Sequence, residues 1–257
     1  MTRFVTAPDG VRVAYEVEGA GPPLLFLHGL SGSRGYWRES GYFDALSGRF
    51  TLVAMDTRGF GESGAPDDPA AYTEDRVLGD TLAVMDAVGA ERFMVWGHSF
   101  GATIARQLGA TSDRAMRIIM AGGHFGVIFD AEQVAELEAE LEPLADALAA
   151  SDLTAALDAL DAPPEEREAS LVFPARTTLL TARSLASWRP FQPADLRCPA
   201  LVIAGTRDTR VLEALEPQRE ALRAAGARLA VLPGLDHGQL VTEREAVLAV
   251  ALPFLSE

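Results

Sequence analysis

The stretch Trp96-Gly97-His98-Ser99-Phe100-Gly101 holds the residues best suited to covalent chemistry. The run Glu91–Trp96 before it is apolar and suits a buried strand. The run Ala102–Leu108 after it has helical spacing and meets a plausible stop at Gly109. A chain that reverses from strand to helix within a few residues holds its central residue in strained backbone angles. It also presses the flanking positions against neighbouring backbone, where only glycine fits. Gly97 and Gly101 flank Ser99 at that spacing. A serine displayed on such a turn is a candidate nucleophile. Its hydroxyl is weak, so it needs a base, an acid to orient the base, and donors for a developing oxyanion.

Among the histidines, His237 is the expected base: it sits in Gly234-Leu235-Asp236-His237-Gly238, directly after an apolar strand ending at Leu232. The acid is expected one strand earlier, in Gly205-Thr206-Arg207-Asp208. Asp236 adjoins His237, yet sequence neighbours rarely face each other well enough to orient the ring, so Asp208 is favoured. His28, beside Gly29, reads as architectural, and His98 should turn away from substrate and pack. Two residues are candidates for a substrate pocket: His124, where the sheet gives way to helices, and Trp37, which reads equally as core. Trp96 and Trp188 read as core.

The elements that must position these groups alternate along the chain. Arg3–Thr6 and Val11–Val17 read as strands joined by the turn Pro8-Asp9-Gly10. Pro23–Leu27 and Phe50–Met55 are continuous apolar strands of the kind buried on both faces of a parallel sheet. Thr73–Val88 is an amphipathic helix stopping at Gly89, and Ala115–Met120 is strand-like. Ala200–Ala204 and Ala227–Leu232 are further strands, separated by a helix from about Leu212 to Ala225. A last helix is expected from Thr242, with Glu245 completing a capping box. This alternation implies an α/β fold with a doubly wound, mostly parallel sheet. Residues 125–188 break it. Asp130–Ala150 is acidic and helical, with Val134, Leu137, Leu141, Leu144 and Leu148 on one stripe. Ala155–Leu160 reads as a second helix, Pro163-Pro164 as a break, and Arg176–Trp188 as a third helical stretch. The expected organisation is a core of residues 1–124 and 189–257, with 125–188 inserted as a helical cap.

A formal net charge of −15 argues against nucleic acid and anionic membranes, whose phosphates such a field repels. It also disfavours polyanionic substrates unless a local basic pocket overrides it, so a small neutral partner is expected. The single cysteine, Cys198, rules out an internal disulfide and suits a buried thiol. The first residues lack an apolar signal core, and no apolar run is long enough to span a bilayer, so a cytoplasmic location is expected. No metal-ligand spacing, dinucleotide fingerprint or phosphate loop is present, and no cofactor is expected.

Four separated signatures resemble the α/β-hydrolase superfamily, in its serine-nucleophile branch with a helical cap: His28-Gly29, Asp56-Thr57-Arg58-Gly59-Phe60-Gly61-Glu62-Ser63, Gly97-His98-Ser99-Phe100-Gly101, and the Asp208/His237 pair. The resemblance covers nearly the whole chain. It implies a triad in the order Ser99, Asp208, His237 and oxyanion donors at the backbone N–H groups of Leu30 and Phe100. It also implies that Asp56–Ser63 braces the site without taking part in it. The reaction expected is hydrolysis of carboxylic esters, lactones or related acyl compounds through an acyl-enzyme. A serine rather than an aspartate at the elbow argues against the alkyl-enzyme route of similar dehalogenases and epoxide hydrolases. Carbon–carbon bond cleavage, thioester hydrolysis or perhydrolysis on the same triad stand as alternatives, and a ligand-binding receptor as a further one.

Overall fold

The computed structural model describes residues 1–150 and 174–257. Eight strands form one sheet: β1 (Arg3–Thr6), β2 (Arg12–Gly19), β3 (Pro23–Leu27), β4 (Thr51–Met55), β5 (Phe93–His98), β6 (Ala115–Ala121), β7 (Ala200–Gly205) and β8 (Arg228–Leu232). Their spatial order is β1-β2-β4-β3-β5-β6-β7-β8, with β1 and β2 antiparallel to their neighbours and the rest parallel. The strand order reverses between β3 and β5, so their carboxyl ends open a crevice. This is where ligands bind in doubly wound sheets.

Side-chain alternation splits the core in two. Leu25 and Leu27 of β3, with Val95 of β5 and Met120 of β6, join one apolar cluster. It is covered by α3 (Glu74–Val88) and α4 (Phe100–Thr111). Leu24 and Phe26, with Trp96, Ile119 and Ile203, join the other cluster. Helices α1 (Gly35–Glu39) and α2 (Tyr42–Leu46) cover that face. A continuous apolar strand is what this arrangement demands, because each residue has a buried side.

Between β6 and β7 lie α5 (Ala131–Ala149) and α6 (Ala175–Leu185). Asp130 starts α5 through a capping box: its carboxylate accepts the Gln133 N–H at 2.9 Å, and its own N–H donates to Gln133 Oε1 at 3.0 Å. The two helices pack through Leu141, Leu144, Ala145, Ala175 and Leu179. Arg183 on α6 ties them together by pairing with Glu138 and Glu142, both at 2.6 Å. The helix expected at Ala155–Leu160 and the break at Pro163-Pro164 lie outside the described residues.

Three expected boundaries differ. Helix α4 runs through Gly109 to Thr111. That glycine serves packing, since a Cβ there would sit 2.8 Å from Ile118 Cδ1. The helix expected over 212–225 is two, α7 (Thr209–Leu215) and α8 (Arg219–Ala224). A 3₁₀ turn at Glu216–Gln218 separates them, because Pro217 cannot continue the ladder. Thr242 ends a short helix, α9 (Gln239–Thr242), and α10 (Arg244–Leu255) starts after Glu243 with no side-chain cap. Among the described residues, no helix is long and apolar enough to cross a membrane.

Candidate active site

Ser99 occupies the turn from β5 into α4 with φ 52° and ψ −109°. A non-glycine residue there costs roughly 1–3 kcal/mol, and the surroundings must hold it in place. Two backbone bonds do so: Ser99 N–H donates to Ala121 O at 2.9 Å, and Gly101 N–H to His28 O at 3.0 Å. A Cβ on Gly97 would overlap the Gly101 carbonyl, and one on Gly101 the Leu27 carbonyl. The glycine spacing therefore follows from close approach within the turn at Gly97 and of the turn to β3 at Gly101.

Phe100 opens α4, where backbone N–H groups have no intrahelical acceptor. Neither its N–H nor that of Leu30, in the loop after β3, donates to a protein acceptor among the described residues. These are the two N–H groups that the resemblance assigns to an oxyanion. Loop 28–34 is braced from both sides. His28 is fully buried; its Nδ1–H donates to Gly29 O at 2.7 Å, while its Nε2 accepts the Thr57 N–H at 3.0 Å. Burial depresses its pKa and keeps the ring neutral. Ser31, also at positive φ, hydrogen-bonds Thr178 of α6 at 2.8 Å.

Asp208 follows β7 and His237 follows β8. His237 Nδ1 donates to Asp208 Oδ2 at 2.6 Å. The Asp208 side chain is 7% exposed and that of His237 43%. Asp236 pairs with Arg207 at 2.7 Å and does not meet the ring of its neighbour. Ser99, His237 and Asp208 line one cavity of about 350 Å³, together with Leu30, Phe100, His124, Phe129, Leu185 and Arg210. No hydrogen bond joins Ser99 to His237; unliganded sites often make that bond only when substrate arrives.

His124 lines this cavity. Its Nδ1–H donates to Phe125 O at 3.0 Å, leaving Nε2 as an acceptor, and burial lowers its pKa. Trp37 does not line it. The ring lies fully buried beneath the sheet, stacked on Phe26 at 4.6 Å and edge-on to Tyr42 and Trp96. Helix α1 turns this residue inward, so closeness in sequence to loop 28–34 does not bring it to the cavity.

Two contributors escape sequence reasoning. His98 is buried, as expected of a packing residue, but it is also bonded to the His237 loop. A backbone carbonyl only accepts, so His98 Nε2–H donates to His237 O at 2.9 Å, and Nδ1 accepts from the Tyr36 hydroxyl at 2.5 Å. Burial lowers the His98 pKa to about 4, so the ring stays neutral and the direction of both bonds is fixed. These partners stand far apart in sequence, and no local pattern links them. The second is Arg210, whose place on the cavity wall follows from the turn of α7 after Asp208.

The family model described as alpha/beta hydrolase fold matches residues 22–217, and the chain belongs to that family. Epoxide hydrolase 2 of Siraitia grosvenorii is 34% identical over 97 residues, covering 38% of this chain and 30% of that protein. The chain spans less than half the length of the first curated relatives it matches. A hydrolase from Pseudomonas aeruginosa superposes over 100% of this chain and 98% of its own, with TM-score 0.78 and 27% identity. The enol-lactonase from Burkholderia xenovorans covers 99% of this chain and 100% of its own, with TM-score 0.72 and 26% identity.

Proposed function

We propose that the protein is a serine-dependent hydrolase of carboxylic esters, lactones or related acyl compounds. The observation that carries this reading is the 2.6 Å Asp208–His237 bond, opening onto the cavity that also holds Ser99 on its strained turn. Asp208 fixes the tautomer that leaves His237 Nε2 free to act as base. Ser99 Oγ attacks the carbonyl carbon and gives its proton to His237. The tetrahedral oxyanion is received by the Leu30 and Phe100 N–H groups, which are supported in this role by lacking protein acceptors. His237 then protonates the leaving group and activates the water that releases the acyl chain.

Epoxide hydrolase names among the relatives raise a second chemistry. Opening an epoxide through an alkyl-enzyme calls for a carboxylate nucleophile, and the turn here carries Ser99. The acyl reading is therefore the one we adopt. The described parts of the 125–188 segment, residues 125–150 and 174–188, serve as the cap, a role supported by Phe129 and Leu185 on the cavity wall.

The test is release of p-nitrophenol from a C2 to C12 acyl series by wild type and Ser99→Ala. Turnover by wild type alone supports the reading, and the chain-length optimum sizes the acyl pocket. A folded wild type that hydrolyses none of the series, nor lactones or thioesters, overturns it.

A further inference from the structure

Among the described residues, the cavity wall carries one cation that the proposed acyl chemistry does not use. Arg210 is exposed and lines the cavity beside His124, Phe129 and Val211. Its guanidinium lies 5.5 Å from the centre of the Phe129 ring, a packing that restrains the side chain against the wall. Among the described residues no carboxylate pairs with it. Its neighbours in sequence differ: Arg207 pairs with Asp236, and Arg219 with Glu216. The other ionisable groups on this wall are already committed. Asp208 is bonded to His237, and His124 is held neutral with one nitrogen bonded to Phe125 O.

A chain of net charge −15 that keeps, on the wall of its candidate active-site cavity, an arginine with no carboxylate partner among the described residues offers an anion a local attraction opposed to the global field. Charges beyond about 8–10 Å are largely screened at physiological ionic strength, so the nearby groups set the field a ligand meets. Of these, Asp208 is engaged by His237, which leaves the Arg210 guanidinium to receive an anion. The planar guanidinium offers paired donors matched to a carboxylate, and it cannot be switched off by deprotonation.

We propose that Arg210 is an anion-recognising residue, and that the preferred substrate is an ester or lactone bearing a second, ionised carboxylate. This rests on the acyl-hydrolase reading and revises the expectation of a neutral substrate. Arg210 binds the distal carboxylate while the scissile carbonyl lies at Ser99. The bond broken is the same as for a neutral ester, and the gain is in binding and orientation.

The experiment compares two matched pairs of equal length: monoethyl adipate against ethyl hexanoate, and 4-acetoxybutanoate against butyl acetate. Wild type, Arg210→Gln and Ser99→Ala are assayed on all of them. Wild type is expected to favour the carboxylated member of at least one pair by about tenfold or more in kcat/KM, mainly through KM. Arg210→Gln is expected to bring the carboxylated-to-neutral kcat/KM ratio to about one, lowering the carboxylated members about tenfold more than the neutral ones. Neutral esters preferred by wild type in both pairs, or equal losses on neutral and anionic members, overturn the proposal. Turnover that persists in Ser99→Ala breaks the serine reading instead, while the Arg210→Gln ratio still tests the anion site. If nothing is turned over, calorimetry with free adipate decides: binding weakened by Arg210→Gln supports the site, and no binding to wild type overturns it.

Discussion

Two charged regions of this molecule look alike in sequence and behave oppositely in the fold. The turn Asp56–Ser63 spends its bonding capacity internally. Asp56 is fully buried, accepts the Arg34 and Glu62 N–H groups and pairs with the Arg34 guanidinium. Arg58, 1% exposed, binds Asp80 through two nitrogens at 2.7 and 2.6 Å, and also Asp9 and the Ala71 carbonyl. The group at the end of β5, β7 and β8 stays open: His237 is 43% exposed, and the Leu30 and Phe100 N–H groups have no protein acceptor among the described residues. Charge density does not mark chemistry; unused hydrogen-bonding capacity beside a cavity does.

The sharpest test of this contrast separates activity from stability. Ser99→Ala is expected to lower kcat by about 10⁴-fold or more, and Asp208→Asn by on the order of 10⁴-fold. Both should keep the melting temperature of the wild type, because neither residue anchors the core. Loss of folding with either substitution would erase the distinction. Arg58→Ala should do the reverse and destabilise the chain by about 3–5 kcal/mol in urea titration, since it leaves the Asp80 charge buried and unpaired. The surviving folded fraction should keep its kcat.

His98 sits between the two regimes, buried like the bracing turn yet bonded to the His237 loop. Its pKa of about 4 lies below that of an unfolded histidine. Between roughly pH 6.5 and 4 the unfolded chain therefore binds a proton that the native one refuses. The stability from keeping His98 neutral is complete above pH 6.5 and is lost as pH falls towards 4. The loss is on the order of 3 kcal/mol over that window. His98→Gln keeps a donor for the His237 carbonyl and should flatten the slope of stability against pH; an unchanged slope would assign the acid sensitivity to other groups. Tyr36→Phe should have the smallest effect, about 1 kcal/mol of stability, by removing the hydroxyl that His98 Nδ1 accepts from.

Much of the fold was legible because its strands are continuous apolar runs and its main helices carry a clear period, as in Pro23–Leu27 and Glu74–Val88. The turn at Ser99 was legible because close backbone approach leaves glycine no substitute at 97 and 101. What escaped depends on packing across the sheet. Trp37 turned to the opposite face, His98 gained a partner from the far end of the chain, and Arg210 reached the cavity through the turn of a short helix. The helix expected over 212–225 failed for a local reason that was visible, the proline at 217. Helical periodicity on both sides of it masked the break.

The bond from His98 to the His237 carbonyl joins residues 139 apart in sequence. In time, this makes the candidate active site a late product of folding. Closing so long a loop costs entropy that is recovered only after β6, β7 and β8 have added in turn, and parallel pairings of this kind form slowly. Trp96 can be enclosed by β3, β4 and the aromatic cluster of α1 and α2 while the final strand is still loose. During refolding, recovery of tryptophan fluorescence should precede recovery of turnover, and the interval between them measures the docking of the last strand.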